Sequence, residues 1–225
     1  MYKINYYEEN KKGNDYAVGD IHGEYLQLEE KLKEIGFNPK CDRLFATGDL
    51  VNRGRYSHMV MDWLKKPWFI PVRGNHDHCI ASIRKGGKGM ETKLKNVYKG
   101  EWYFEQSKSF QESLCKRFEL LPVANCIKTE KGPVVIVHAD LPTATWQTFE
   151  NQVRMFNLKL INEAISSFER HKIKNQIIPD VRAVICGHTS GKNVRILGNF
   201  YIIDTGCGME KGRLTILSLK TLKEV

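Results

Sequence analysis

The stretch RLFATGDLVNRG, residues 43–54, decides how this chain is read. A short apolar run (Leu44, Phe45, Ala46) passes directly into a turn edged by Gly48 and Gly54. That turn carries a carboxylate (Asp49), an amide (Asn52) and a guanidinium (Arg53). The following segment, RYSHMVMDWLKK, has a helical pattern with Met61 and Leu64 on its apolar side. Strand, polar turn, helix is the unit, and it recurs. DYAVGDIHG (15–23) leads into a helix whose Leu28, Leu32 and Ile35 fall at helical spacing, and WFIPVRGNHD (68–77) leads into HCIASIR. Strands alternating with helices predict an α/β fold with parallel pairing in the first half.

The rest of the chain is organised differently. About residues 78–121 read as a helical insertion or cap, ending in the aromatic and polar run EWYFEQSKSFQESLCKRFELL. The second half is richer in strands: VANCIK, PVVIVHAD, VRAVICGHT, FYIIDTG and RLTILSL. Between them FENQVRMFNLKLINEAISSFER predicts one helix with Val153, Phe156, Leu160, Ala164 and Phe168 along its buried face. No linker divides the chain, so residues 1–225 read as a single domain.

Composition narrows the class without choosing a function. Of 225 residues 41% are hydrophobic, enough for one sizeable core. Lys and Arg exceed Asp and Glu by 35 − 26 = +9, which attracts anions, but the basic residues are dispersed and nucleic acid is disfavoured as a partner. The six cysteines form no C-x-x-C pair, and Cys126 and Cys186 sit in apolar runs as buried thiols do. No apolar run is long enough for a bilayer, the first residues are polar, and a reducing cytoplasm is the expected location.

The chemistry lies just past the strands. Asp20 and His22, Asp49, Asn75 and His76, His138, His188 and Asp204 each follow an apolar run. In α/β sheets ligands gather outside the carboxyl ends of strands, so these side chains are expected to share one crevice. Turn chemistry explains one such Asp but not a series of strand ends each offering Asp, Asn or His. Oxygen and imidazole donors without thiolate suit manganese, iron or zinc, and six donors suit two ions, most simply two Mn2+. Paired metals acidify a shared water and clamp phosphate oxygens. Arg53 and Arg73 follow donor-bearing or precede donor-bearing strand ends, and guanidinium matches phosphate bidentately. His58, His78 and His171 fall on helical patterns and read as ordinary side chains, and Trp102, Tyr103 and Phe104 read as cap packing.

GDIHG, GDLVNRG, RGNHD, a strand ending in His138, and GHT, in that order, resemble the PPP-type calcineurin-like metallophosphoesterases. PWFIPVRGNHD, EWYF, VVIVHAD, AVICGHT and YIIDTG are most similar to the branch containing the protein serine/threonine phosphatase of phage lambda and its bacterial relatives. The resemblance spans nearly the whole chain. It implies a four-layer α/β/β/α sandwich of central sheets flanked by helices, and hydrolysis of phosphomonoesters in phosphoproteins or small phosphorylated molecules. It further implies Asp20, His22 and bridging Asp49 on one metal, and Asp49, Asn75, His138 and His188 on the other. A metal-bridging hydroxide would attack phosphorus, with His76 as general acid. Arg53 and Arg73 would bind the phosphate.

Two departures stand out. The family's protein phosphatases carry Asp where this chain has Asn52, and that carboxylate pairs with the acid His. Asn52 is expected to accept from His76 through its carbonyl oxygen, without charge, leaving His76 to hold its proton less tightly. Leu158 in MFNLKL takes the place of a phosphate-approaching Arg. Related diadenosine tetraphosphate hydrolases often lack the same Asp, which makes nucleoside polyphosphate hydrolysis the alternative.

Overall fold

The computed structural model describes residues 2–169, 172 and 176–225. Two sheets form from strands of three or four residues. The larger contains β1 (Ile4–Tyr7), β5 (Ala124–Ile127), β6 (Val134–Val137), β7 (Ala183–Cys186), β8 (Arg195–Leu197) and β9 (Phe200–Ile202), in the order β1-β5-β6-β7-β9-β8. The smaller contains β2 (Asp15–Val18), β3 (Arg43–Ala46), β4 (Phe69–Pro71) and β10 (Ile216–Ser218), in the order β10-β2-β3-β4. As the strand–helix alternation requires, β2, β3 and β4 are parallel; β10 closes the edge antiparallel to β2.

Period-two alternation builds the layers. Ala17, Phe45, Ile136 and Ile185 face one another between the sheets and are fully buried. Their neighbours Val18, Leu44 and Ala46 face outward from the small sheet. There they meet α1 (Tyr25–Glu34), α2 (Val60–Trp63), α3 (Asn75–Asn96) and α4 (Lys108–Glu119) through Leu28, Trp63, Ile80 and Phe118. Val135, Val137, Val184 and Cys186 face outward from the large sheet, against Phe149 and Val153 of α5 (Trp146–Arg154) and Leu160 and Ile161 of α6 (Leu158–Ser166). Every strand residue thus packs on one face or the other, and a sheet buried on both faces must be apolar throughout. The result is helices, sheet, sheet, helices. The region read as an insertion is α3, bent at Gly87 (φ 53°), a 3₁₀ turn at Glu101–Tyr103, and α4.

The single helix expected over 149–170 is in fact two. Phe156 adopts φ 56°, and the Asn157 carboxamide oxygen then accepts from the Leu160 N–H (3.2 Å), starting α6 afresh. Val153, Leu160 and Ala164 are buried, whereas Phe156 and Phe168 are about half exposed, because the break turns them off the shared face. Cys186 is buried and Cys126 only partly so.

Candidate active site

The carboxyl ends of both sheets meet at one edge. Thr47, just past β3, ties them: its carbonyl accepts from His138 Nδ1 (2.8 Å), and its hydroxyl donates to Asp20 Oδ1 (2.9 Å). The backbone N–H of His188, after β7, donates to Asp20 Oδ2 (2.9 Å), and that of His76, at the start of α3, donates to Asp49 Oδ1 (2.9 Å). The approach is close enough to demand glycine. A Cβ on Gly187 would overlap the Asp20 carboxylate, and one on Gly74 would overlap that of Asp49. His22, Asp49, Asn52, Arg53 and His188 all adopt φ between 46° and 74°, a left-handed conformation that side chains other than Gly enter at a cost. Asp77 holds this geometry from below. Its carboxylate accepts from the Leu50 N–H (3.0 Å) and the Gly74 N–H (2.9 Å), locking the 48–54 turn to the first turn of α3.

Asp20, His22, Asp49, Asn75, His138 and His188 all reach this edge, with Asp49 at the centre. Its Oδ2 lies 3.7 Å from His22 Nε2, and its Oδ1 lies 3.4 Å from His138 Nε2. Asn75 Oδ1 lies 2.8 Å from both His138 Nε2 and His188 Nδ1. Asp204 adjoins Asp20 and accepts from the Gly206 N–H (2.8 Å).

Donor and acceptor bookkeeping gives this cluster its chemistry. His138 Nδ1 donates to the Thr47 carbonyl and His22 Nδ1 to the Val51 carbonyl (3.1 Å). In the neutral rings Nε2 is therefore a bare lone pair, and in each case it faces oxygens that are themselves acceptors. His22 Nε2 and His188 Nε2 are buried without any hydrogen-bond partner. Converging lone pairs repel; a cation among them removes the conflict, so the residues fit divalent metal. Electrostatics agree. Burial, then Asp204 and Asp49, raises Asp20, and burial pushes Asp49 up to about 7. Burial lowers His138 to about 4 and His188 to about 3, which keeps them in the neutral form that ligates.

This predicts a pH dependence. In the metal-free fold the Asp49 carboxyl is raised from 3.8 to about 7, so its contribution to stability is present at low pH and is lost as pH rises through about 7. Below that point a cation must displace a proton from Asp49. Manganese affinity by calorimetry is therefore expected to weaken about tenfold per pH unit below ~7, with proton release on binding.

His76 differs from these imidazoles. Its Nδ1 lies 2.9 Å from Asn52 Nδ2, while the Trp102 indole N–H donates to Asn52 Oδ1 (2.8 Å). An indole nitrogen can only donate, so the Asn52 amide nitrogen faces His76 and donates to it. The expectation that Asn52 accepts from His76 is thereby overturned: Trp102 already occupies that oxygen. The ring hydrogen then sits on Nε2, 3.7 Å from Asp49 Oδ2. Nε2 carries a hydrogen where His22 and His138 carry lone pairs.

The two arginines separate. Arg53 is exposed beside a cavity of about 650 Å³ shared with Glu24, Arg55, Gly208 and Met209. Arg73 does not join it. Its guanidinium is buried, donates to the Glu119 and Leu121 carbonyls and lies over the Tyr2 ring, so it fastens the end of α4 rather than facing the crevice. A donor three residues before a helix start was compatible with either direction. Leu158 is exposed at the start of α6. His58 is exposed, His78 is packed near Tyr2, and His171 lies outside the described residues. The sequence gave no sign that Tyr98 packs against His76 (ring centroids 4.3 Å) or Phe168 against His188 (4.2 Å). Trp102 had been read as cap packing only.

The model of the calcineurin-like phosphoesterases matches residues 16–191, which contain every one of these donors except Asp204. The chain belongs to this family. It is 30% identical to serine/threonine-protein phosphatase 2 of Escherichia coli over 91% of this chain and 92% of that protein. It is 38% identical to a symmetrical bis(5'-nucleosyl)-tetraphosphatase of Dechloromonas aromatica, over 36% of this chain and 32% of that protein. A solved protein serine/threonine phosphatase of Saccharomyces cerevisiae shares the fold, with a TM-score of 0.64 at 17% identity over 96% of this chain and 76% of that chain. This calcineurin-like phosphoesterase is accordingly a hydrolase of phosphoric esters. Among its described residues no helix is long and apolar enough to cross a membrane.

Proposed function

We propose that the chain is a binuclear-metal phosphomonoesterase acting on phosphoserine and phosphothreonine in proteins. The observation that carries this reading is Asp49, buried between the bare Nε2 atoms of His22 and His138 with one oxygen toward each. Asp20, His22 and Asp49 would hold one ion, and Asp49, Asn75, His138 and His188 the other, with manganese the favoured metal. Bound, such a pair supplies an acidified water and charge to hold the phosphoryl oxygens. Arg53, exposed at the rim, orients the phosphate through its planar guanidinium. His76 presents its Nε2–H to the departing oxygen. Free thiols at all six cysteines support a reducing, cytoplasmic setting.

A chelated sample reloaded with manganese is expected to release phosphate from a phosphoserine peptide faster than from a dinucleoside tetraphosphate. The opposite order would favour the polyphosphate reading, which the tetraphosphatase relative and the uncharged Asn52 support. Asn52→Asp replaces a donor toward His76 by an acceptor, allowing a doubly protonated ring. It is expected to speed phosphoserine hydrolysis about tenfold or more while leaving p-nitrophenyl phosphate nearly unchanged, as read from kcat on the two substrates. Equal changes on both would remove His76 from proton delivery.

A further inference from the structure

Asn52 is completely buried, and its carboxamide has two ring partners and no others among the described contacts: Trp102 on Oδ1 and His76 on Nδ2. The backbone anchors the loop too, through Asn52 N–H to Ser57 Oγ (2.9 Å). Trp102 comes from the 3₁₀ turn between α3 and α4, and its carbonyl accepts from Gln106 Nε2 (3.1 Å). Tyr98, four residues earlier, covers the His76 ring. Two residues of the α3–α4 connection therefore bear on His76, one by contact and one through Asn52.

We propose that Trp102 is a positioning residue that fixes the hydrogen-bond polarity at His76 and so sets how strongly the site discriminates between leaving groups. The proposal rests on the phosphomonoesterase reading. The indole N–H holds the Asn52 oxygen away from His76 and the amide nitrogen toward it. A His76 ring carrying hydrogen on both nitrogens would face the Asn52 NH2 with a second donor, an unmatched pair in a buried position. In the hydrolysis, the bond from phosphorus to the leaving oxygen breaks with its electron pair on that oxygen, and a water oxygen forms the new bond to phosphorus and gives up a proton. A phenolate keeps that pair without being protonated. A serine alkoxide takes up a proton on departure, and the Trp102–Asn52 pair disfavours the ring state best able to give one. The site therefore turns over phosphotyrosine faster than phosphoserine, and the difference is built into a tryptophan that touches neither metal nor substrate.

Trp102→Phe removes the N–H and keeps the ring. Asn52 is then free to turn its oxygen toward His76. With manganese present, kcat for a phosphoserine peptide is expected to rise about tenfold, KM to hold, and kcat for p-nitrophenyl phosphate to stay within about twofold. The double variant Trp102→Phe/Asn52→Asp supplies the control, because Trp102 acts only through the amide: in the Asn52→Asp background the change at Trp102 should no longer alter the ratio of the two rates. Nitrogen-15 spectra of histidine in the zinc-loaded chain should show the His76 hydrogen on Nε2 in the wild type and on Nδ1 in Trp102→Phe. An unchanged ratio with an unchanged spectrum, or a parallel fall on both substrates, would overturn the proposal. A wild-type chain that binds metal but hydrolyses neither substrate would instead sink the phosphomonoesterase reading itself.

Discussion

Asp49→Asn is expected to strip the chain of both metal ions and to slow hydrolysis by about 10³-fold or more, the loss that follows when metal stabilisation worth several kcal/mol disappears. The substitution is nearly isosteric. Its retained Oδ1 still accepts from the His76 N–H, so the turn keeps its shape. What changes is the other atom. An NH2 group replaces Oδ2, 3.7 Å from His22 Nε2, and supplies the hydrogen that this bare lone pair lacks. The metal-free variant should therefore melt no lower than metal-free wild type near neutral pH, since burial already disfavours the ionised Asp49 there. Metal content by mass spectrometry, rate and melting temperature separate the outcomes. A variant that retains both ions would show that Asp49 does not join them.

His76→Asn should behave in the opposite way on metal. We expect kcat for a phosphoserine peptide to fall by about 10²-fold, the lower end for a group that delivers a proton, while both ions stay bound. Full loss of metal would make His76 a ligand. The proximity of His22, Asp49 and His76 alone permits either role. The Asn52 donor at Nδ1 decides it, because it leaves the ring hydrogen on Nε2, where a ligand would need a lone pair. The effect sits at the lower end because the same Asn52 contact disfavours a doubly protonated ring.

Much of the architecture was legible because strand patterning is local. RLFA and VVIV carry apolar residues on both faces, which only a doubly covered sheet requires, and the donors follow those strands at once. What was hidden depends on partners far along the chain. The orientation of Asn52 is set by Trp102, fifty residues away, and no feature of GDLVNRG announces it. Arg73 looks like a phosphate clamp until the carbonyls of Glu119 and Leu121 are seen to claim it. The helix read across 149–170 has a continuous apolar period, and its interruption at Phe156 and Asn157 is a left-handed residue followed by a cap, signals too common to outweigh that period. Phe168 illustrates the same limit: helical spacing assigned it to the core, whereas it lies half exposed against His188.

The central claim is that Asp49 joins two metal ions into one hydrolytic centre. Titrating manganese into the chelated chain, while following p-nitrophenyl phosphate hydrolysis and bound metal in the same samples, tests it most directly. The account predicts that activity reaches its plateau when two ions are bound per chain. Full activity in the stripped chain, or an inert chain carrying both ions, would contradict it.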